Sequence, residues 1–217
     1  MSPVLKSEEI PQLEGWGILI FLAILEFSSF YLVFATEGKI FPSLSVDLLA
    51  RIVQILAYFI ILAFCIIRFG RVNLIELAPA RRDALVLLLA LFAEFWVFGL
   101  LVGSEGVRND YHKSIQEFSP SHYWLAVFIF VLGNPFLEEA IFRRYFLEIQ
   151  RQHYSVGVAI LITAGASTLF HFDASLLRLS WVFFQQVFLS FVYVKSRLGV
   201  SVLVHAFVNG LILFLSR

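Results

Sequence analysis

The chain has 217 residues, of which 60% are hydrophobic and only 15% charged, with a formal net charge of zero and a mean hydropathy of +0.87. Soluble domains run at roughly 45–50% apolar, so this composition points to a membrane protein, and the absence of a basic excess argues against a nucleic-acid partner. A single cysteine, Cys65, excludes an intrachain disulfide framework and a cysteine metal cluster.

The first fifteen residues carry Lys6, Glu8, Glu9 and Glu14 ahead of Trp16. They are too acidic for a signal peptide and read as a short cytosolic lead-in. Seven apolar segments follow, at 16–35, 49–67, 84–102, 123–142, 156–171, 177–194 and 199–215. Most are near the ~20 residues needed to span a bilayer, and 25 phenylalanines suit lipid-facing and interhelical packing. Residues 103–122 form the longest polar connection. No repeat, linker or low-complexity tract divides the chain. The expected fold is all-α, a polytopic transmembrane bundle of about seven helices in one integral-membrane domain, 1–217.

Arg68, Arg71, Arg81 and Arg82 fall between segments two and three, Arg143, Arg144 and Arg151 between four and five, and Lys195 and Arg197 between six and seven. These three connections lie on one side together with Lys6. The positive-inside rule therefore predicts a cytosolic N-terminus and an external C-terminus. Inside the spans sit Glu26, Gln54, Glu94, Gln185 and Gln186. The glutamines read as interhelical hydrogen-bonding groups, each worth around 0.6 kcal/mol. The two acids need a partner or water.

The densest polar group is Asn134-Pro135-Phe136-Leu137-Glu138-Glu139-Ala140-Ile141-Phe142-Arg143-Arg144, after the apolar run 123–132. A charged side chain at the bilayer centre costs roughly 2.5–3.5 kcal/mol on insertion scales, so the group reads as a functional site. Glu139 and Arg143 are one helical turn apart, with the acid first, the favourable order for a pair. Glu138 points about 100° away and is left to face a cavity. Pro135 removes one rung of the helix ladder and exposes a carbonyl, which protein or water must satisfy at membrane depth.

Two more polar pairs recur at the same spacing, Ser167 with His171 and His205 with Asn209. Two acids, two histidines and an asparagine thus come from three segments of one small bundle. Private packing partners for each would explain them one by one; a single shared cavity explains them together. A carboxylate beside a histidine can take a proton from water. A histidine with an asparagine one turn on presents two donors for the oxygen of a tetrahedral intermediate. Amide hydrolysis within the membrane is the reaction class these residues suit.

These residues resemble the CAAX protease and bacteriocin-processing (CPBP) family, relatives of the type II CAAX prenyl endopeptidase. The resemblance covers about the last hundred residues, the catalytic core helices of 123–215. It rests on Glu138-Glu139-Ala140-Ile141-Phe142-Arg143, on His171, and on His205 to Asn209, in order on successive helices. The family's Phe-x-x-x-His block departs here, because Ser167 stands where the phenylalanine would, and Phe170 is out of register. The resemblance implies a glutamate-type intramembrane endopeptidase. Glu138 and His171 would activate water, His205 and Asn209 would hold the oxyanion, and Glu139 and Arg143 would support them. It further implies no cofactor, a protein or peptide substrate at the lipid bilayer, and a prokaryotic inner (plasma) membrane location. One requirement follows. Glu138 and His171 meet only if the helices around 144–156 continue past the bilayer as a hairpin.

Three other readings use the same residues. Gly165-Ala166-Ser167 resembles a rhomboid-type serine site with a histidine on segment seven. A zinc enzyme could draw on His171, His205 and Glu138, though no His-Glu-x-x-His occurs. A scaffold, immunity or transport protein could use the polar cluster for binding alone.

Overall fold

The computed structural model describes residues 12–35, 46–70, 77–78, 80–81, 83–102, 120–171 and 176–215. The lead-in before Gln12 and the polar connection 103–119 lie outside the described residues. All the regular structure described is helical: α1 Gln12–Ala35, α2 Val46–Phe69, α3 Asp83–Val102, α4 at residues 120–153, α5 Val156–Leu169, α6 Leu176–Lys195 and α7 Leu198–Leu215.

The helix ends have local causes. Gly70, at φ 96°, closes α2 with its N–H on Ile66 O at 3.0 Å, the left-handed cap that glycine adopts without a Cβ penalty. Its carbonyl accepts from Tyr145 Oη at 2.7 Å, which ties this cap to α4. Tyr154 takes an extended conformation and breaks α4. α5 starts two residues later. Gly199, in the first turn of α7, allows the closest backbone approach in the bundle, since a Cβ there would lie 1.9 Å from Leu77 O.

The fourth helix differs from expectation at its C-terminal end. Predicted to stop at 142, it runs on to His153. The charges that look like a helix boundary are buried, with Arg143 at 0% and Arg144 at 7% exposure. They belong to the interior and not to a cytosolic loop. At 1.5 Å per residue this helix is about 50 Å long, well beyond the ~30 Å hydrocarbon thickness. It is also not uniformly α. Phe128–Gly133 and Glu139–Leu147 have π-helical hydrogen bonding, a form frequent at functional sites.

The second π stretch is the hub. Residues 139–147 touch α1, α2, α5, α6 and α7, and all nine are buried. Leu137, Ile141, Phe142, Tyr145 and Phe146 pack there on Ile18 and Leu22 of α1, on Tyr58, Ile61 and Cys65 of α2, and on Phe170 after α5. Around the hub α1 pairs with α2, α5 with α6 and α7 with α3.

The outer surface is apolar. Ile24, Phe27, Phe59, Leu88, Phe92 and Trp96 are each more than half exposed. Ile52–Phe69 and Tyr123–His153 are long and apolar enough to cross a membrane. Only 33% of the first window is buried, whereas the core helix of a soluble protein would be mostly covered. Exposed apolar area of this extent marks a surface made for lipid or protein.

Candidate active site

The adjacent acids of α4 are held differently. Glu139 is fully buried, and its Oε2 lies 3.2 Å from Arg143 Nε, itself at 0% exposure. The two form an ion pair by proximity, although the N–H is not aligned for a hydrogen bond. Oε1 of Glu139 contacts His205 Nδ1 at 2.9 Å. Arg143 Nη2 donates to the side-chain oxygen of Gln186 on α6. Glu139 therefore joins α4 to α7, and Arg143 joins α4 to α6. A buried charge needs such a set of partners to offset its lost hydration.

Glu138 is 5% exposed, and its Oε2 has no hydrogen bond among the described residues. The imidazole Nε2 of His205 lies 3.9 Å from that oxygen. This is too long for a direct hydrogen bond. An oxygen set to one side of the line between them could touch both, the arrangement to look for across such gaps. With Nδ1 facing the Glu139 carboxylate, Nε2 is the nitrogen of His205 that faces the reacting side. This assignment follows from the partners, as ring tautomers generally must.

His171 follows the end of α5. Its Nδ1 lies 3.1 Å from Ser167 O. A carbonyl can only accept, so Nδ1 carries the proton and Nε2 is the acceptor nitrogen, the form a general base needs. α4 and α5 form a helical hairpin that turns at Tyr154 and Ser155. Glu138 and His171 each lie 16 residues from that turn. Phe142, one turn after Glu138, stacks on Phe170 with ring centroids 5.7 Å apart. Phe170 thus supplies the aromatic contact that the departure at Ser167 removes. His171 itself is exposed, in contrast to the buried Glu138–Glu139–Arg143–His205 group.

Asn209 is used in a way the sequence foreshadows from the other side. Its Nδ2 donates to Phe130 O at 2.9 Å. In the π ladder the N–H of Asn134 reaches back five residues to Ile129 O. The next rung would run from residue 135 to Phe130, and Pro135 has no N–H. Asn209 fills that rung and leaves its second amide hydrogen for another acceptor.

Four further residues join the cluster. Gln54 Nε2 lies 3.2 Å from Glu26 Oε1 and 3.5 Å from Tyr58 Oη. Tyr58 is near enough to Glu138 to feel its charge. A polar chain therefore runs from α1 through α2 to the site. Glu94 of α3 is in charge range of His205. Glu26, Glu94 and Gln186 are visible in the sequence as polar residues in apolar segments. Tyr58 carries no such signal. The serine pair is not formed, since Ser167 Oγ has no hydrogen-bond partner among the described residues while His205 faces Glu139. Among the described residues no three His, Cys, Asp or Glu side chains gather as metal ligands.

Residues 120–211, from the start of α4 to the last turns of α7, match the family model described as Type II CAAX prenyl endopeptidase Rce1-like. Over this stretch, less than half of the chain, the protein is similar to the CPBP, or CAAX protease, family. The matched residues include Glu138 to Arg143, His171, and His205 to Asn209. CPBP proteins are integral-membrane proteases. No curated protein and no solved structure matches the chain.

Proposed function

We propose that this protein is a glutamate-type intramembrane endopeptidase that hydrolyses a peptide bond of a membrane-associated protein or peptide, without a metal. It resides in a prokaryotic inner membrane with its N-terminus in the cytosol, and all seven helices form the membrane-embedded bundle. Glu138 and His171 take the proton of the attacking water. His205 Nε2 and the remaining amide hydrogen of Asn209 face the oxygen of the tetrahedral intermediate. Glu139 and Arg143 hold His205 and the helix in place.

The observation that carries this reading is the contrast between two neighbouring carboxylates. Glu139 is engaged by Arg143 and His205. Glu138, equally deep, keeps an oxygen with no hydrogen bond among the described residues, 3.9 Å from an imidazole nitrogen. Burying such an oxygen without a partner costs free energy, and a bound water or substrate group removes that cost.

The test is Glu138→Gln in the purified full-length protein. The amide is nearly isosteric, so insertion and melting should match the unaltered chain. Cleavage of a lipid-anchored peptide should fall by at least the roughly 10²–10⁴-fold that a general base contributes. A chelator should leave the unaltered enzyme active. Retained turnover in Glu138→Gln would remove the glutamate mechanism; loss with chelator and rescue by zinc would replace it with metal chemistry.

A further inference from the structure

Between α3 and α6 lies a cavity of about 190 Å³ lined by Ala93, Glu94, Trp181, Phe184, Gln185 and Phe188. Its composition is uneven. Three aromatic rings and a methyl group form most of the wall, and one carboxylate and one amide form the rest. Glu94 is only 4% exposed and has no hydrogen bond or ion pair with another described side chain. Gln185 is 8% exposed, and its Nε2 is likewise without a partner. Phe184, 67% exposed, marks the outer lip. Glu94 lies within electrostatic range of His205. The residue after Gln185 is the Gln186 that binds Arg143. The cavity is thus open at the apolar outer surface and is lined by an acid within electrostatic range of His205.

We propose that this cavity is a substrate subsite for a basic side chain, lysine or arginine, lying close to the bond that is cut. This rests on the endopeptidase reading and names part of its substrate class. A carboxylate among aromatic rings at membrane depth calls for a cation. Aromatic faces attract that cation further, most strongly when water is excluded. The aliphatic stem of lysine or arginine lies well along apolar walls while its head reaches a polar group. Gln185 offers a side-chain carbonyl to the same head. The volume suits one such side chain, since a cavity of about 150 Å³ holds benzene. A purely apolar occupant, such as an acyl or isoprenoid chain, would fill the rings but leave the Glu94 carboxylate without a cation.

The experiment uses full-length protein in nanodiscs and a set of fluorescent lipid-anchored peptides of one backbone. A single lysine is walked through the positions around the scissile bond, with methionine as the neutral match in length. Binding is read first, on the Glu138→Gln protein, so that it does not depend on turnover. At one register lysine should bind at least about tenfold tighter than methionine. Glu94→Gln, added to that background, should bring the ratio to about one. Glu94→Lys should invert it in favour of a glutamate peptide. Trp181→Leu, which leaves the acid in place, should lower the lysine preference as well. Equal binding at every register, or a lysine preference that survives Glu94→Gln, overturns the subsite. Cleavage of the same peptides by the unaltered protein separates the two claims. Cleavage without lysine preference leaves the endopeptidase and removes the subsite. Lysine preference without cleavage leaves the subsite and removes the endopeptidase.

Discussion

At the scale of single residues, the two glutamates show how neighbours of identical chemistry acquire different tasks. Their helical offset already separates them in the sequence, because only Glu139 stands one turn before Arg143. The structure adds His205 and Gln186, which make Glu139 and Arg143 a unit joining α4 to α6 and α7. Breaking a buried pair by neutralising one partner typically costs about 3–5 kcal/mol. Glu139→Gln should therefore lose stability together with activity, in contrast to Glu138→Gln. Arg143→Gln should behave similarly. The double variant should cost less than the sum of the singles, because residues in one network do not add. Thermal melts of the four proteins check this, and a Glu139→Gln variant that is stable but merely slow would show the pair to be dispensable for folding. The pair and its order are legible in the chain because they depend only on helical spacing. Gln186 as its third member is not, because which face of α6 meets α4 is decided by tertiary packing.

At the scale of the helix, the defect in α4 explains a residue that otherwise looks purely catalytic. Pro135 leaves Phe130 O without its π-ladder donor, and Asn209 supplies one from α7. Removing that donor leaves a carbonyl short of a partner, at a cost of about 1–3 kcal/mol. Asn209→Ala should be destabilised by that order. Pro135→Ala restores an N–H at the required position, so the double variant should recover part of the loss. Chemical denaturation of the two singles and the double measures the coupling; additive losses would mean that Asn209 and Pro135 act independently. The proline, the exposed carbonyl and the asparagine can each be read from the sequence. Their pairing cannot, since it needs the register of α7 against α4. The helix boundary at 142 was misplaced for a related reason. Hydropathy treats Arg143 and Arg144 as water-facing, and their burial becomes visible only with their surroundings.

At the scale of the whole molecule, the connections sort by end. Glu14 of α1 pairs with Arg68 of α2 at 2.6 Å, and Arg197 before α7 pairs with Asp83 of α3 at 3.3 Å. Leu77 packs on Gly199, and the cap of α2 receives Tyr145 of α4. The start of α1, the end of α2, the start of α3, the α4–α5 turn and the α6–α7 turn therefore gather at one end of the bundle. Arg68, Arg81, Arg151, Lys195 and Arg197 are there as well. With Arg143 and Arg144 removed from the loop count, this end keeps its basic excess. Lys39, Arg108 and Lys113 lie outside the described residues. A helix of about 50 Å cannot be contained in a bilayer of about 30 Å. The charged end of α4, with Glu148, Arg151 and His153, is the part that leaves it. On the proposed orientation the positive-inside rule sets this end in the cytosol, with the turn at Ser155 projecting furthest. A cysteine at Ser155, an exposed position in the turn, should react with an impermeant maleimide only after spheroplasts are permeabilised. One at Trp124, exposed near the opposite end of α4, should react in intact spheroplasts. Native Cys65 is fully buried and adds little background. Labelling of position 155 from outside would invert the protein in the membrane, and the peptide bond it cuts would then have to be presented from the opposite face.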